Sequence, residues 1–199
     1  MSYNDAGAID ADGTNTKSIN AEGIVKALTE RFDGLSLRVQ RENRIWLEAC
    51  REGFIDLLRY LHDELGFITL CTISGVDTGE EFQLIYHLSH SCGIVLSART
   101  SAPHADPTFD TATDIYKGGM LYELEARNLL GLDIRGIPKD IIYPLPDGWP
   151  KGQYPLRKSW VKLDSNDADG ANNADDAAGN VAVADAAGRN KSASDKEKS

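Results

Sequence analysis

Apolar residues fall at helical spacing in three stretches of this chain and alternate with polar ones in several others. Ile24, Val25, Leu28 and Phe32 follow a period near 3.6, with Asn20 placed to cap the helix and Gly34 to stop it. Leu35, Leu37 and Val39, then Ile45 and Leu47 beyond Glu42-Asn43, alternate as a hairpin with one buried face does. Phe54, Leu57, Leu58 and Leu61 return to the helical period and run out near Gly66. Three strand-like runs follow, Phe67 to Ile73, Phe82 to Leu88 and Gly93 to Ala98, with turns at 75–79 and 89–91. A polar connector over 101–113, holding Pro103 and Pro107, leads to a third helix. That helix sets Tyr122, Ala126, Leu129 and Leu130 on one side, and Gly131 is its stop. Strands grouped in hairpins between helices predict an α+β fold with a mainly antiparallel sheet and flanking helices.

Beyond the third helix the pattern changes. Five of the seven prolines lie between Pro138 and Pro155, interleaved with Tyr143, Trp149, Tyr154 and, just beyond, Trp160. Proline lacks the backbone donor that helices and central strands need, so an extended arm is expected over 138–163. Its aromatic side chains need a surface, which is either the arm's own domain or a partner. The expected organisation is therefore a flexible polar leader over 1–19, an α+β domain over 20–137, the arm, and a disordered acidic tail over 164–199. That tail is rich in Asp, Ala, Asn and Gly and holds no aromatic residue.

A net charge of −10 and a pI near 4.8 argue against nucleic acid or an anionic membrane surface as a direct partner. The first residues show no secretory signal pattern, and no apolar run approaches the roughly 20 residues that span a bilayer. Cys50, Cys71 and Cys92 form no CxxC pair and are expected to be buried or half-buried hydrophobes. The segment 75–79, Gly-Val-Asp-Thr-Gly, lacks the lysine and spacing of a phosphate loop and reads as a turn.

Candidate chemistry is sparse. His87 and His90 are three apart at a strand end, a spacing that points them to opposite faces if the strand continues. With Asp77 they support one alternative, a stand-alone metal-dependent enzyme. Glu123 and Glu125 suit the positive end of a helix dipole, and Glu123 stands four residues before Arg127 as a helical ion pair would. Arg157 and Lys158 lie among aromatic residues, where a guanidinium can take a partner's carboxylate at an interface. The expected partner interface is Tyr122, Glu123, Glu125, Trp149, Tyr154, Pro155, Leu156, Arg157, Lys158 and Trp160. Another reading makes the acidic tail a scaffold for basic partners.

Several segments resemble the complex I 30-kDa subunit family, which comprises the C subunit of NADH-quinone oxidoreductase and its relatives. That family carries W-Y-E-R-E-x-x-D-x-F-G, then G-H-P, then P-L-R-K-D. Here Leu121 to Gly131 reads LYELEARNLLG, Gly136-Ile137-Pro138 stands for the second and Pro155 to Ser159 reads PLRKS. Ser74-Gly75-Val76-Asp77 and Tyr86-His87-Leu88 are similar to family positions at strand ends, and the likeness spans about residues 21–163. Leu121, Leu124, Asn128, Leu130 and Ile137 replace the family's Trp, Arg, Asp, aromatic and His. The arm from Leu145 to Arg157 is more similar to that of membrane-bound, energy-converting NiFe hydrogenases.

The resemblance implies an accessory subunit with no catalytic residue, cofactor or metal of its own. It would sit in the peripheral arm of an ion-translocating redox complex, on the cytoplasmic side of the membrane. It would dock on a hydrogenase-like large subunit beside an iron–sulfur small subunit, reaching the membrane only through partners. Iron–sulfur clusters and a NiFe centre would belong to those partners, and the whole complex would evolve hydrogen from ferredoxin. The alternative within the family is the C subunit of an NADH- or F(420)H(2)-dependent quinone or phenazine oxidoreductase.

Overall fold

Asn20 starts the first helix as its sequence suggests: its side chain accepts from the Gly23 N–H at 2.8 Å, satisfying one donor of the first turn. Helix α1 (Ala21–Arg31) is followed by β1 (Ser36–Arg41), β2 (Arg44–Glu48) and helix α2 (Phe54–Asp63). Then come β3 (Thr69–Asp77), β4 (Glu81–Ser89), β5 (Val95–Pro103), β6 (Thr108–Asp110), helix α3 (Met120–Leu130) and β7 (Asp133–Arg135). The computed structural model describes residues 20–161; the expected leader, the tail and the last two residues of the arm lie outside the described residues.

The fold is α+β. Five strands form one sheet in the order β1-β2-β5-β4-β3, antiparallel except where β2 lies parallel to β5. Between those two, α2 and the β3–β4 hairpin supply the long connection that a parallel pair requires. One sheet face carries Ile45, Leu47, Phe82, Leu84, Tyr86, Ala98 and Ala102, buried with Leu28, Leu57, Leu58 and Leu61 of the helices. The opposite face is half-buried and largely polar. There His87 lies between Ser74 (3.3 Å) and Ser97 (2.9 Å), and Arg99 pairs with Glu48 at 2.5 Å.

Several boundaries differ from the sequence expectation. β3 continues past Ile73 through Gly75, because a glycine there admits α3: a Cβ would stand 2.6 Å from Leu130 Cδ1. The turn is therefore tighter than expected. Gly79 takes a positive φ of 96° while Thr78 Oγ1 accepts from the Glu81 N–H at 3.0 Å. β5 runs on to Pro103, and part of the expected polar connector becomes β6, paired parallel with β7. Helix α1 stops at Arg31, with Phe32 already extended, two residues before the glycine expected to end it.

The cysteines also depart from expectation. All three are exposed: Cys50 follows β2, Cys71 sits at a register shift in β3, and Cys92 is in the turn after β4.

Candidate docking site

Helix α3 is the base on which the site is built. Its buried side is Glu123, Leu124, Ala126 and Leu130, with Tyr122 and Leu129 half-buried at the margin. Glu123 is thus not a partner contact in this fold. Its carboxylate lies in the interior, accepting from the Ala112 N–H at 2.8 Å, from Thr111 Oγ1 and from the Tyr86 hydroxyl at 3.3 Å. Burial pushes this carboxyl above the ordinary glutamate range, against the lowering effect of those three donors. Nor does it cap its own helix: it binds the loop after β6 to α3. With Glu123 turned inward, no pair forms with Arg127, whose guanidinium donates instead to the Pro138 and Ile141 carbonyls. Glu125, two residues on, is exposed.

The helix ends at Gly131 (φ 72°), as its sequence suggests, and here the arm returns. The Leu156 N–H donates to the Leu129 carbonyl at 3.0 Å. Arg157 donates through Nε to the Leu130 carbonyl (2.6 Å) and through Nη2 to the Gly131 carbonyl (3.1 Å). A cation at the last carbonyls of a helix is favoured by their unsatisfied acceptors and by the helix dipole. The guanidinium also lies 5.1 Å from the Phe82 ring centre and 4.5 Å from that of Tyr154. Only glycine fits at 131, since a Cβ would stand 2.5 Å from both Arg157 and Tyr154.

A second anchor follows at once. Asp77, its side chain almost wholly buried at the end of β3, accepts from the Lys158 N–H (2.9 Å), the Gly79 N–H (2.8 Å) and His104 Nε2 (2.9 Å). Burial opposes the Asp77 carboxylate, but these donors outweigh it and hold its pKa below the ordinary aspartate value. His104 in turn stacks on Phe82 at 4.2 Å, and the Lys158 ammonium reaches the Thr78 carbonyl. The rings of His104, Phe82 and Tyr154 and the Arg157 guanidinium therefore form one cluster joining β4, the turn after β5 and the arm.

The described part of the arm, residues 138–161, carries neither helix nor strand, yet it is not extended as expected. Backbone bonds from Trp149 to Pro146, Gln153 to Pro150, Arg157 to Tyr154 and Trp160 to Arg157 fold it into successive turns. Glycines at 148 and 152 with positive φ permit that folding. Trp149 donates to the Gln153 carbonyl at 2.8 Å and stacks on Trp160 at 6.5 Å. Of the expected interface, Tyr154, Arg157 and Lys158 thus bind the arm to its own domain, and Trp149, Pro155 and Trp160 are half-buried. Leu156 (55% exposed) and Glu125 remain outward, as do Ile142 (58%) and Val161 (78%), which nothing in the sequence pattern singled out.

The suggested metal trio does not converge. Asp77 binds His104 and the arm, His87 lies on the open sheet face, and His90 contacts Cys92 Sγ through Nδ1 at 2.9 Å. Burial first, and then the charge of Arg44, hold the His87 imidazole below its ordinary pKa. Among the described residues no group of three or more His, Cys, Asp or Glu is placed to hold a metal ion. No helix of the described residues is long and apolar enough to cross a membrane.

Comparisons with known proteins agree with this architecture. The beta subunit of the membrane-bound hydrogenase of Pyrococcus furiosus is 26% identical over 145 residues, 69% of this chain and 84% of the relative. The C subunit of the F(420)H(2) dehydrogenase of Methanosarcina mazei is 28% identical over 147 residues, 71% of this chain and 92% of the relative. In the structure of the membrane-bound sulfane sulfur reductase, an archaeal respiratory membrane complex, one chain superimposes with a TM-score of 0.65. That chain is 27% identical, with 71% of this chain and 86% of that one covered. The family described as the respiratory-chain NADH dehydrogenase 30-kDa subunit matches residues 47–165, a span that includes α3 and both anchors of the arm, and the chain belongs to that family.

Proposed function

We propose that this chain is a non-catalytic accessory subunit of a membrane-associated, ion-translocating redox complex. It docks on a NiFe-hydrogenase-like large subunit beside an iron–sulfur small subunit. The observation that carries the reading is the family match over 47–165, together with relatives that are themselves named as subunits. The clasped arm gives the reading a physical form. Its cationic residues secure it to α3 and β3, so Ile142, Leu156 and Val161 are presented on a fixed surface. Exposed apolar side chains held in place are what a partner's apolar surface fits at low ordering cost.

Within that reading, the arm's likeness to membrane-bound hydrogenases favours ferredoxin-linked hydrogen evolution by the whole complex, on the cytoplasmic side. The family and the M. mazei relative favour a second reading, the C subunit of an NADH- or F(420)H(2)-dependent oxidoreductase. Affinity purification of the full-length chain from detergent-solubilised membranes of its host tests both. The expected result is a complex with a large subunit of NiFe-hydrogenase type that evolves hydrogen from reduced ferredoxin. A chain that purifies alone defeats the subunit reading. A complex that reduces quinone or phenazine without hydrogen evolution defeats the branch.

A further inference from the structure

The five-stranded sheet ends in two edges of opposite character. β1, at one end, reads SLRVQR: Arg38 and Arg41 are exposed on it and its register shifts between Val39 and Arg41. Charged side chains and bulges are the devices by which an edge strand refuses another strand. β3, at the other end, reads TLCTISGVD, with no Lys, Arg or Pro, and its one charge, Asp77, is turned inward to the arm. A register shift interrupts β3 once, at Cys71, where the Tyr122 hydroxyl reaches the Cys71 carbonyl at 3.4 Å. From Thr72 to Asp77 the pairing with β4 is regular. Since β4 lies on one side only, alternate backbone N–H and C=O groups of that run face away from the sheet, with no strand beside them among the described residues.

Next to this run the surface is concave. A groove of about 300 Å³ lies between β3 and α3, with Thr72 and Ser74 on one wall, Tyr122, Glu125 and Leu129 on the other, and Leu156 among its lining. Leu156 is fixed there by its own N–H on the Leu129 carbonyl and by the Arg157 anchor that follows. An unguarded edge beside a groove that offers both polar and apolar side chains is the surface that strand addition uses: backbone bonds supply affinity, and alternate side chains supply specificity.

We infer that β3 accepts an extended segment of the partner subunit as a sixth strand. Apolar residues of that segment rest against Tyr122, Leu129 and Leu156, and an Arg or Lys meets Glu125. The inference rests on the accessory-subunit reading and names the surface that would serve it. Charge selects the occupant. Glu125 is the charged residue of the groove and the chain carries −10, so a second copy would bring like charges together while a basic segment would not.

Hydrogen exchange on the full-length chain, alone and within the purified complex, tests this directly. Amides of 72–76 that face away from β4 should slow by at least roughly tenfold in the complex, while those already bonded to β4 change little. The exposed-site substitutions Val76→Lys and Glu125→Lys should each reduce recovery of partner subunits at least about tenfold, with the thermal unfolding of the isolated chain unchanged. Unchanged exchange and unchanged recovery would sink the edge inference and leave the subunit reading standing. A wild-type chain that brings no partner sinks both. A concentration-dependent dimer of the isolated chain, with the same amides protected, would overturn the assignment in favour of a second copy.

Discussion

Glu123→Ala withdraws one acceptor group from three donors in the space between β4, α3 and the loop after β6. Two of those donors have little recourse. The Ala112 N–H and the Tyr86 hydroxyl are both buried, and each would be left without its partner at a cost of about 1–3 kcal/mol. The Tyr86 bond, at 3.3 Å, belongs at the low end. Thr111 has another partner in Thr113 Oγ1, 2.9 Å away, so its share is small. The sum is about 2–4 kcal/mol, or roughly 5–15 °C in Tm for a chain of this size. Glu123→Gln keeps an oxygen for Ala112 and offers its amide to Thr111, so its cost should stay within about 1 kcal/mol at neutral pH. The two variants also differ in pH dependence. Because burial raises the folded-state pKa of Glu123, the wild type binds its proton more tightly when folded. The associated stability is fully present below the ordinary value of 4.5 and is lost as pH rises through the folded value. The stability difference between wild type and Glu123→Gln should therefore shift toward Gln from about pH 4.5 upward and be flat below it. Chemical denaturation followed by circular dichroism across pH 4–8 measures it. An alanine variant costing under about 0.5 kcal/mol, or a glutamine variant as damaging as alanine, would refute the account of this carboxyl.

The two anchors of the arm give separable predictions. Arg157→Lys keeps the charge but loses the planar stack on Tyr154 and the two-pronged bond to the Leu130 and Gly131 carbonyls at the end of α3. It should speed proteolytic cleavage within 138–161 at least about fivefold, corresponding to about 1 kcal/mol, while the circular dichroism of the domain is preserved. Cleavage no faster than wild type would show that charge alone suffices. For Asp77 the sign is opposite to that of Glu123. Its folded-state pKa is depressed, so its contribution is present above the ordinary value of 3.8 and is lost as pH falls through the lower folded value. Arm protection should weaken in that acid window in the wild type, and Asp77→Asn should remove this dependence; an identical acid profile in both would rule Asp77 out as the titrating anchor.

What the sequence made legible follows the range of the interactions. Asn20 as a cap and Gly131 as a stop are decided within a few residues of themselves, and both stand where expected. The hydrophobic face of α2, from Phe54 to Leu61, is equally local. By contrast, the parallel register of Arg44 with Val95 joins residues far apart in the chain, and no periodicity records it. The β6–β7 pair is three residues long, too short for an alternation to show. The inward position of Glu123 has no local signature. A glutamate in the first turn of a helix fits the dipole whether it faces solvent or core, and only the distant donors on Ala112, Thr111 and Tyr86 make the inward position tolerable.

Arg157 shows how the same chemistry can serve two ends. Its planar cation, set among aromatic residues in a proline-rich segment, is equally suited to a partner's carboxylate and to the last carbonyls of a helix. Gly131 decides between them, because a glycine terminus leaves those carbonyls open and leaves room for the guanidinium to reach them. The consequence reaches assembly. An arm of this length ordered only on binding would forfeit about 1–2 kcal/mol for each residue fixed, a cost drawn directly from what the interface returns. Closing it on α3 and β3 beforehand removes much of that cost, and it also engages Arg157 and Lys158, the basic pair that would have met a partner's carboxylate. Recognition then draws on shape and apolar contact at Leu156, Ile142 and Val161 and, next to Leu156, on the groove along β3, whose charged residue is Glu125.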